Sequence, residues 1–135
     1  MPGETNLEKL IAEMHPVLDE AAFVFCTVTP EDAIRLTFTP LGVFRESEGV
    51  TLIMTQEQAT DAGLRFDSTW ARVTLTVHSA LAAVGFLAAV LGRLAQAGIS
   101  VNPVSAFFHD HLFVPWESRQ HAMDVLEELS HTRVG

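Results

Sequence analysis

The chain has 135 residues, with 17 acidic side chains against 8 basic ones and a net charge of −9. That length is enough for one domain, or two small ones sharing a core, to fold without staples. The basic residues are scattered and form no stripe that could neutralise phosphates, which argues against nucleic acid and against an anionic membrane surface as partners.

Cys26 is the only cysteine, so neither an internal disulfide nor a cysteine metal cage can form. Within Phe23-Val24-Phe25-Cys26-Thr27-Val28 it reads as a small core residue. The opening Met1-Pro2-Gly3-Glu4 lacks the basic and apolar regions of a secretory signal, and a cytoplasmic location is the expectation.

Thr5-Asn6-Leu7-Glu8 fits a capping box, and Leu7, Leu10, Ile11 and Met14 follow at helical spacing up to His15-Pro16. A buried strand over Phe23 to Val28 comes next. Thr29-Pro30-Glu31-Asp32 is expected to turn the chain into a second strand, in which Ile34, Leu36 and Phe38 alternate with polar residues. Val43 to Met54 reads as one further strand, ending where Thr55 and Gln58 form another capping box for a short helix that closes at Gly63. The polar run from Arg65 to Ala71 is the expected boundary between two halves, residues 1–68 and 69–135.

Val73 to His78 alternates apolar with polar residues, the period of a half-buried strand. Ser79 is placed to cap a helix over about Ala80 to Ala97, which Gly98 terminates. Val84, Leu87, Ala88, Leu91, Leu94 and Ala95 share one face of it. Phe86, Ala89, Val90 and Ala97 make the other side apolar too, so covering on both sides, and hence a homodimer, is expected. The uncharged run from Val73 to Gly92 could span a bilayer by length alone, but the strand alternation in its first half argues against this. Ile99 to Phe108 and Leu112 to Pro115 read as strands joined through His109-Asp110-His111. A last helix over Ser118 to His131 turns Ala122, Val125, Leu126 and Leu129 inward, and residues 132–135 read as a frayed end.

The element order implies an α+β fold of two ferredoxin-like, βαββαβ-type halves, with antiparallel sheets and helices packed on one face. The second half has no final strand of its own and the first half is incomplete, so the two are expected to complete each other's sheets.

Two polar clusters invite chemistry. His109, Asp110 and His111 could hold a transition metal, with His78 or the pair Glu46 and Glu48 completing the sphere; the plain alternative is a polar turn in which Asp110 caps local amides. No longer ligand spacing such as HExxH supports a metal. Glu46 and Glu48, two apart on a strand, share a face that would favour a cationic group if it were not simply solvated. His78 and Ser79 are neighbours whose side chains diverge on a strand, the wrong geometry for a nucleophile and its base.

Val73 to Ala97 followed by Gly98-Ile99-Ser100-Val101-Asn102 resembles an ACT domain: strand, glycine-containing loop, helix, then Gly-Ile-x-Ile and a second strand. The runs 46–53, 75–85 and 108–115 are similar to those of a bacterial family of small ACT proteins of unknown function. That family is similar in layout to the paired ACT modules of aspartate kinases and to the CASTOR arginine sensors. The resemblance implies a regulatory protein, not an enzyme, without a cofactor, that binds a small amino-acid-like effector at a module or subunit interface. By position it implies a binding loop from His78 through Ser79, Ala80 and Val84 to Gly85, with Ile99 and Asn102 beside it. The usual loop has an Asp and a Pro-Gly pair, whereas here Val84 precedes Gly85. A metal-dependent enzyme centred on His109, Asp110 and His111, or a structural interaction module, are the alternatives.

Overall fold

The computed structural model describes residues 6–77 and 85–132. Its elements in order are α1 (Leu7–Ala12), β1 (Pro16–Val28), α2 (Pro30–Ile34), β2 (Gly42–Arg45), β3 (Val50–Thr55), α3 (Gln56–Asp61) and β4 (Trp70–Leu75). There follow α4 (Phe86–Gln96), β5 (Asn102–Ser105), β6 (Asp110–Pro115), a short 3-10 turn (Trp116–Ser118) and α5 (Arg119–Thr132). They form two compact units: one takes the chain up to Glu20 and again from Ala71, and the other is Ala21–Trp70.

In the first unit the strands lie in the order β1-β4-β6-β5. The run β4-α4-β5-β6-α5 is five-sixths of a ferredoxin-like motif, and the missing last strand is supplied by the opening of β1. A 2.7 Å ion pair from Arg72 of β4 to Asp19 of β1 ties the two strands together. On β4 the alternation works as the sequence implies, with Ala71, Val73 and Leu75 fully buried. They pack with Leu112 and Val114 of β6 and with Leu10, Phe86, Val90 and Leu126 from the three helices. The hydroxyl of buried Ser130 donates to the Ala12 carbonyl at 2.9 Å, fastening α5 to the end of α1.

The second unit has the order β2-β3-β1. β1 and β3 run antiparallel with Phe23 opposite Thr55 and Val28 opposite Val50. Its core is small: Val24, Cys26, Val50, Leu52 and Met54 from the strands and Ala59 from α3. Burial raises the pKa of the Cys26 thiol, which holds it as a neutral core group.

Several expected elements differ. Thr29 does not turn the chain into a strand; its hydroxyl accepts from the Asp32 amide at 3.1 Å, and with Pro30 in the first turn it starts α2. A cap and a proline placed for a helix outweigh three alternating apolar residues, and Ile34 is left 85% exposed. Val43 to Met54 is two strands, because Glu46 and Gly49 exchange backbone hydrogen bonds of 2.9 and 3.3 Å and fold a four-residue turn. Asn6 caps α1 by accepting from the Lys9 amide at 3.1 Å, and Thr5 lies outside the described residues. The Thr55 and Gln58 capping box is present as expected.

The long helix also begins later. Its N-cap is Gly85, at φ 88, and the buried line along it is Phe86, Val90 and Leu94 rather than Leu87, Ala88 and Leu91. Ala88, Gly92 and Ala95 face outward, while Leu87 and Leu91 are half-buried against the core. Its far end is a Schellman motif: Ile99 N–H donates to Leu94 C=O and Gly98 N–H to Ala95 C=O, both at 3.0 Å.

Gly98 sits at φ 77 with open space around a would-be Cβ, as does Gly92 in the ordinary helical backbone of α4. Gly98→Ala should therefore cost about 1 kcal/mol of stability through backbone strain alone, whereas Gly92→Ala should add roughly 0.5–1 kcal/mol. Urea unfolding of both variants checks the opposite signs.

Candidate functional site

The junction between β4 and α4 is held firmly at its near end. Thr76 donates its backbone N–H to the Met14 carbonyl and its hydroxyl to the His15 carbonyl, each at 2.8 Å. The acceptor His15 sits at φ 41, the one non-glycine residue with positive φ among those described. At the other end Gly85 turns through the left-handed region and its carbonyl accepts from Ala89 N–H at 2.9 Å, opening α4. The glycine is required for conformation, since a Cβ there would meet only Leu7 Cδ2 at an ordinary 3.7 Å. Gly85 has no side chain to cap the first turn, and no acidic residue stands there either. The positive end of the helix dipole is therefore not neutralised by the helix's own residues.

His78, Ser79, Ala80 and Val84 lie outside the described residues. Ile99 is buried and belongs to the core as the residue closing the Schellman motif, so its side chain is not presented to a ligand. Asn102 is exposed at the start of β5, opposite Phe113. Glu46 and Glu48 do not share a strand face. They sit in the β2–β3 turn, where Glu46 accepts from the Thr51 hydroxyl at 2.5 Å and Glu48 from the Ser47 hydroxyl at 3.2 Å.

The His109-Asp110-His111 run is not the turn between β5 and β6. The turn closes one step earlier, through Ala106 N–H to His109 C=O at 3.0 Å, with Phe107 and Phe108 exposed at its tip. Asp110 and His111 are then consecutive strand residues pointing to opposite faces. Asp110 is buried and accepts from the Ser105 hydroxyl at 2.5 Å. Among the described residues no three His, Cys, Asp or Glu side chains gather as a metal site.

What the sequence reading missed is a polar array across β1, β4 and β6. Asp19 pairs with Arg72, and Thr74, two residues along the same strand, hydrogen-bonds His111 Nδ1 at 3.0 Å. The available signal was the polar half of the β4 alternation, Arg72 and Thr74, which needs partners on neighbouring strands. Partial burial, then the nearby positive charges of Arg72 and His109, lower the pKa of His111, with Asp110 opposing.

The sign of the consequence is fixed by linkage. Above the ordinary value of 6.5, His111 is neutral whether the chain is folded or not; between that value and its lower folded one, only the unfolded chain takes up the proton. Acidification through this window destabilises the fold. Replacing His111 by Gln, which can still hydrogen-bond Thr74, should shrink the stability lost between about pH 7 and pH 5. Urea unfolding at the two ends of that range gives the comparison, and an unchanged loss would mean that His111 is not the group responsible.

An ACT-domain profile matches residues 2–71 and another matches residues 65–128. No curated protein sequence matches. Among solved structures, a Vibrio cholerae protein of unknown function, described as a possible transport protein, is 42% identical, with a TM-score of 0.80 over 92% of this chain and 95% of that one. An Agrobacterium tumefaciens protein is 18% identical, with a TM-score of 0.66 over 82% of this chain and 84% of that one. The regulatory subunit of aspartate kinase from Thermus flavus is 10% identical, also with a TM-score of 0.66, over 84% of this chain and 95% of its own. The last two likenesses are of fold alone. With ACT profiles over both halves and a relative 42% identical across 92% of its length, this chain belongs to the ACT-domain family.

Proposed function

We propose that this protein is a regulatory ACT protein of the cytoplasm, not an enzyme and needing no cofactor, that binds a small amino-acid effector where two copies of the chain meet. The observation that carries the reading is the entry to α4. A left-handed Gly85 opens a helix whose first turn has, among the described residues, neither a side-chain cap nor an acidic residue, at the position the ACT pattern gives to effector binding. Backbone amides in that state favour a carboxylate. Ser79 and Asn102 are the side chains placed nearest to this role by the family pattern, with His78, Ala80 and Val84 contributing backbone. Glu46 and Glu48, exposed in their turn, are open to a basic effector group.

The case for a dimer rests on β5. It is an edge strand with all of its residues exposed, including Val104, and Phe107 and Phe108 stand exposed beside it at 66% and 62%. Unpaired backbone groups and apolar side chains on one edge favour pairing with the same edge of a second copy. An effector that prefers one arrangement of the pair would act by shifting its population.

An effector at about a hundred times its Kd should stabilise the protein by about 2.7 kcal/mol, a rise in Tm of roughly 5 to 15 °C. A thermal-unfolding panel over the amino acids should find such a rise for one or two of them, reduced in Ser79→Ala or Asn102→Ala; a flat panel would sink the reading. Light scattering should report a dimer, and Val104→Lys should give monomers by placing a charge on the edge.

A further inference from the structure

We infer that the second unit carries a ligand site of its own, distinct from the β4–α4 junction, for a zwitterionic amino acid with an apolar side chain. A cavity of about 390 Å³ opens between the end of β1, the end of α2 with the chain that follows it, and the end of α3. It lies where α2, only 5 residues long, stops at Ile34 and the chain continues without regular structure to β2. Volumes of this order are those of small-molecule sites.

The lining has the chemistry of such a ligand. Asp32 and Arg35 both face the cavity, three residues apart at the end of α2, and among the described residues neither side chain has a hydrogen-bonding or ionic partner. Opposite charges at this spacing are near enough to attract one another along a helix. Here they stand apart at a cavity whose remaining walls include Val28, Leu36, Phe38 and Leu64. A carboxylate suits the guanidinium, an ammonium suits Asp32, and the apolar walls take an aliphatic or aromatic side chain. Because the two charges are of opposite sign, a ligand carrying only one of them gains one contact and leaves the other group facing an uncompensated partner. The site thus discriminates free amino acids from amines, simple acids and blocked derivatives. This inference does not depend on the effector site proposed above.

The test is an amide-resolved NMR titration of the whole chain with L-leucine, L-methionine and L-phenylalanine, and with N-acetyl-leucine and leucinamide as single-charge controls. At least one free amino acid should perturb the amides of Asp32 to Phe38 and Leu64, while both blocked forms bind at least about tenfold more weakly. Asp32→Asn and Arg35→Gln change exposed side chains that have no partner among the described residues, so the fold should persist; each should weaken binding about tenfold or more. Perturbation confined to Gly85 to Ala88 would overturn this site while supporting the effector site at the junction. Perturbation confined to the α2 cavity would do the reverse, and binding there that ignores Arg35→Gln would overturn the assignment.

Discussion

The structure depends on a single strand. β1 is 13 residues long, and its pairing passes from β4 on one side to β3 on the other. Among the described residues no strand follows α5, which ends at Thr132. The opening of β1 fills that place, and the price is a long-range contact: Asp19 meets Arg72 across 53 residues of sequence. Closing so wide a loop slows folding more than it weakens the product. The residues up to Glu20 group with the chain from Ala71 onward.

Local chemistry made many of the remaining decisions, and that is why much of the fold was legible. Thr55 with Gln58 and the Gly98 stop rest on interactions within a few residues, so their signals are written side by side. The alternation of Ala71, Val73 and Leu75 belongs to the same class, because a strand buried on one face announces its period. The opening of β1 did not. Pro16 to Glu20 has no alternation to read, and what makes it a strand is a salt bridge and a sheet neighbour more than fifty positions away.

Elsewhere the sequence offered two consistent local answers and tertiary context chose. Ile34, Leu36 and Phe38 alternate like a strand, yet the Thr29 cap and Pro30 begin a helix, and Leu36 and Phe38 become cavity walls. His109 to His111 has turn-like composition, but Asp110 is drawn into β6 by the Ser105 hydroxyl, which moves the turn back onto two phenylalanines. Of the predicted site, Gly85 is left-handed at the start of α4, and Ile99 lies in the core. Ligand positions are set by how chain segments converge, and one-dimensional patterns record convergence poorly.

For a protein so acidic, recognising a carboxylate is the demanding half of binding an amino acid. Of its 8 basic residues, Arg72 is committed to Asp19, and Arg119 lies 3.9 Å over the Trp116 ring while donating to its carbonyl. Arg93 stands 3.7 Å from Glu128, a contact exposed enough to be weak but still neutralising. Backbone dipoles and a cation held at a cavity are two further means of holding a carboxylate. The start of α4, without a side-chain cap among the described residues, is the first kind and Arg35 the second, and they differ in a way that matters for selectivity. Helix amides accept almost any anion and leave discrimination to whatever covers them, whereas Arg35 beside Asp32 fixes two charges and an apolar wall at once. A regulatory protein that must separate one amino acid from the acids and amines around it gains more from the second arrangement, because each mismatch leaves a charge unpaired.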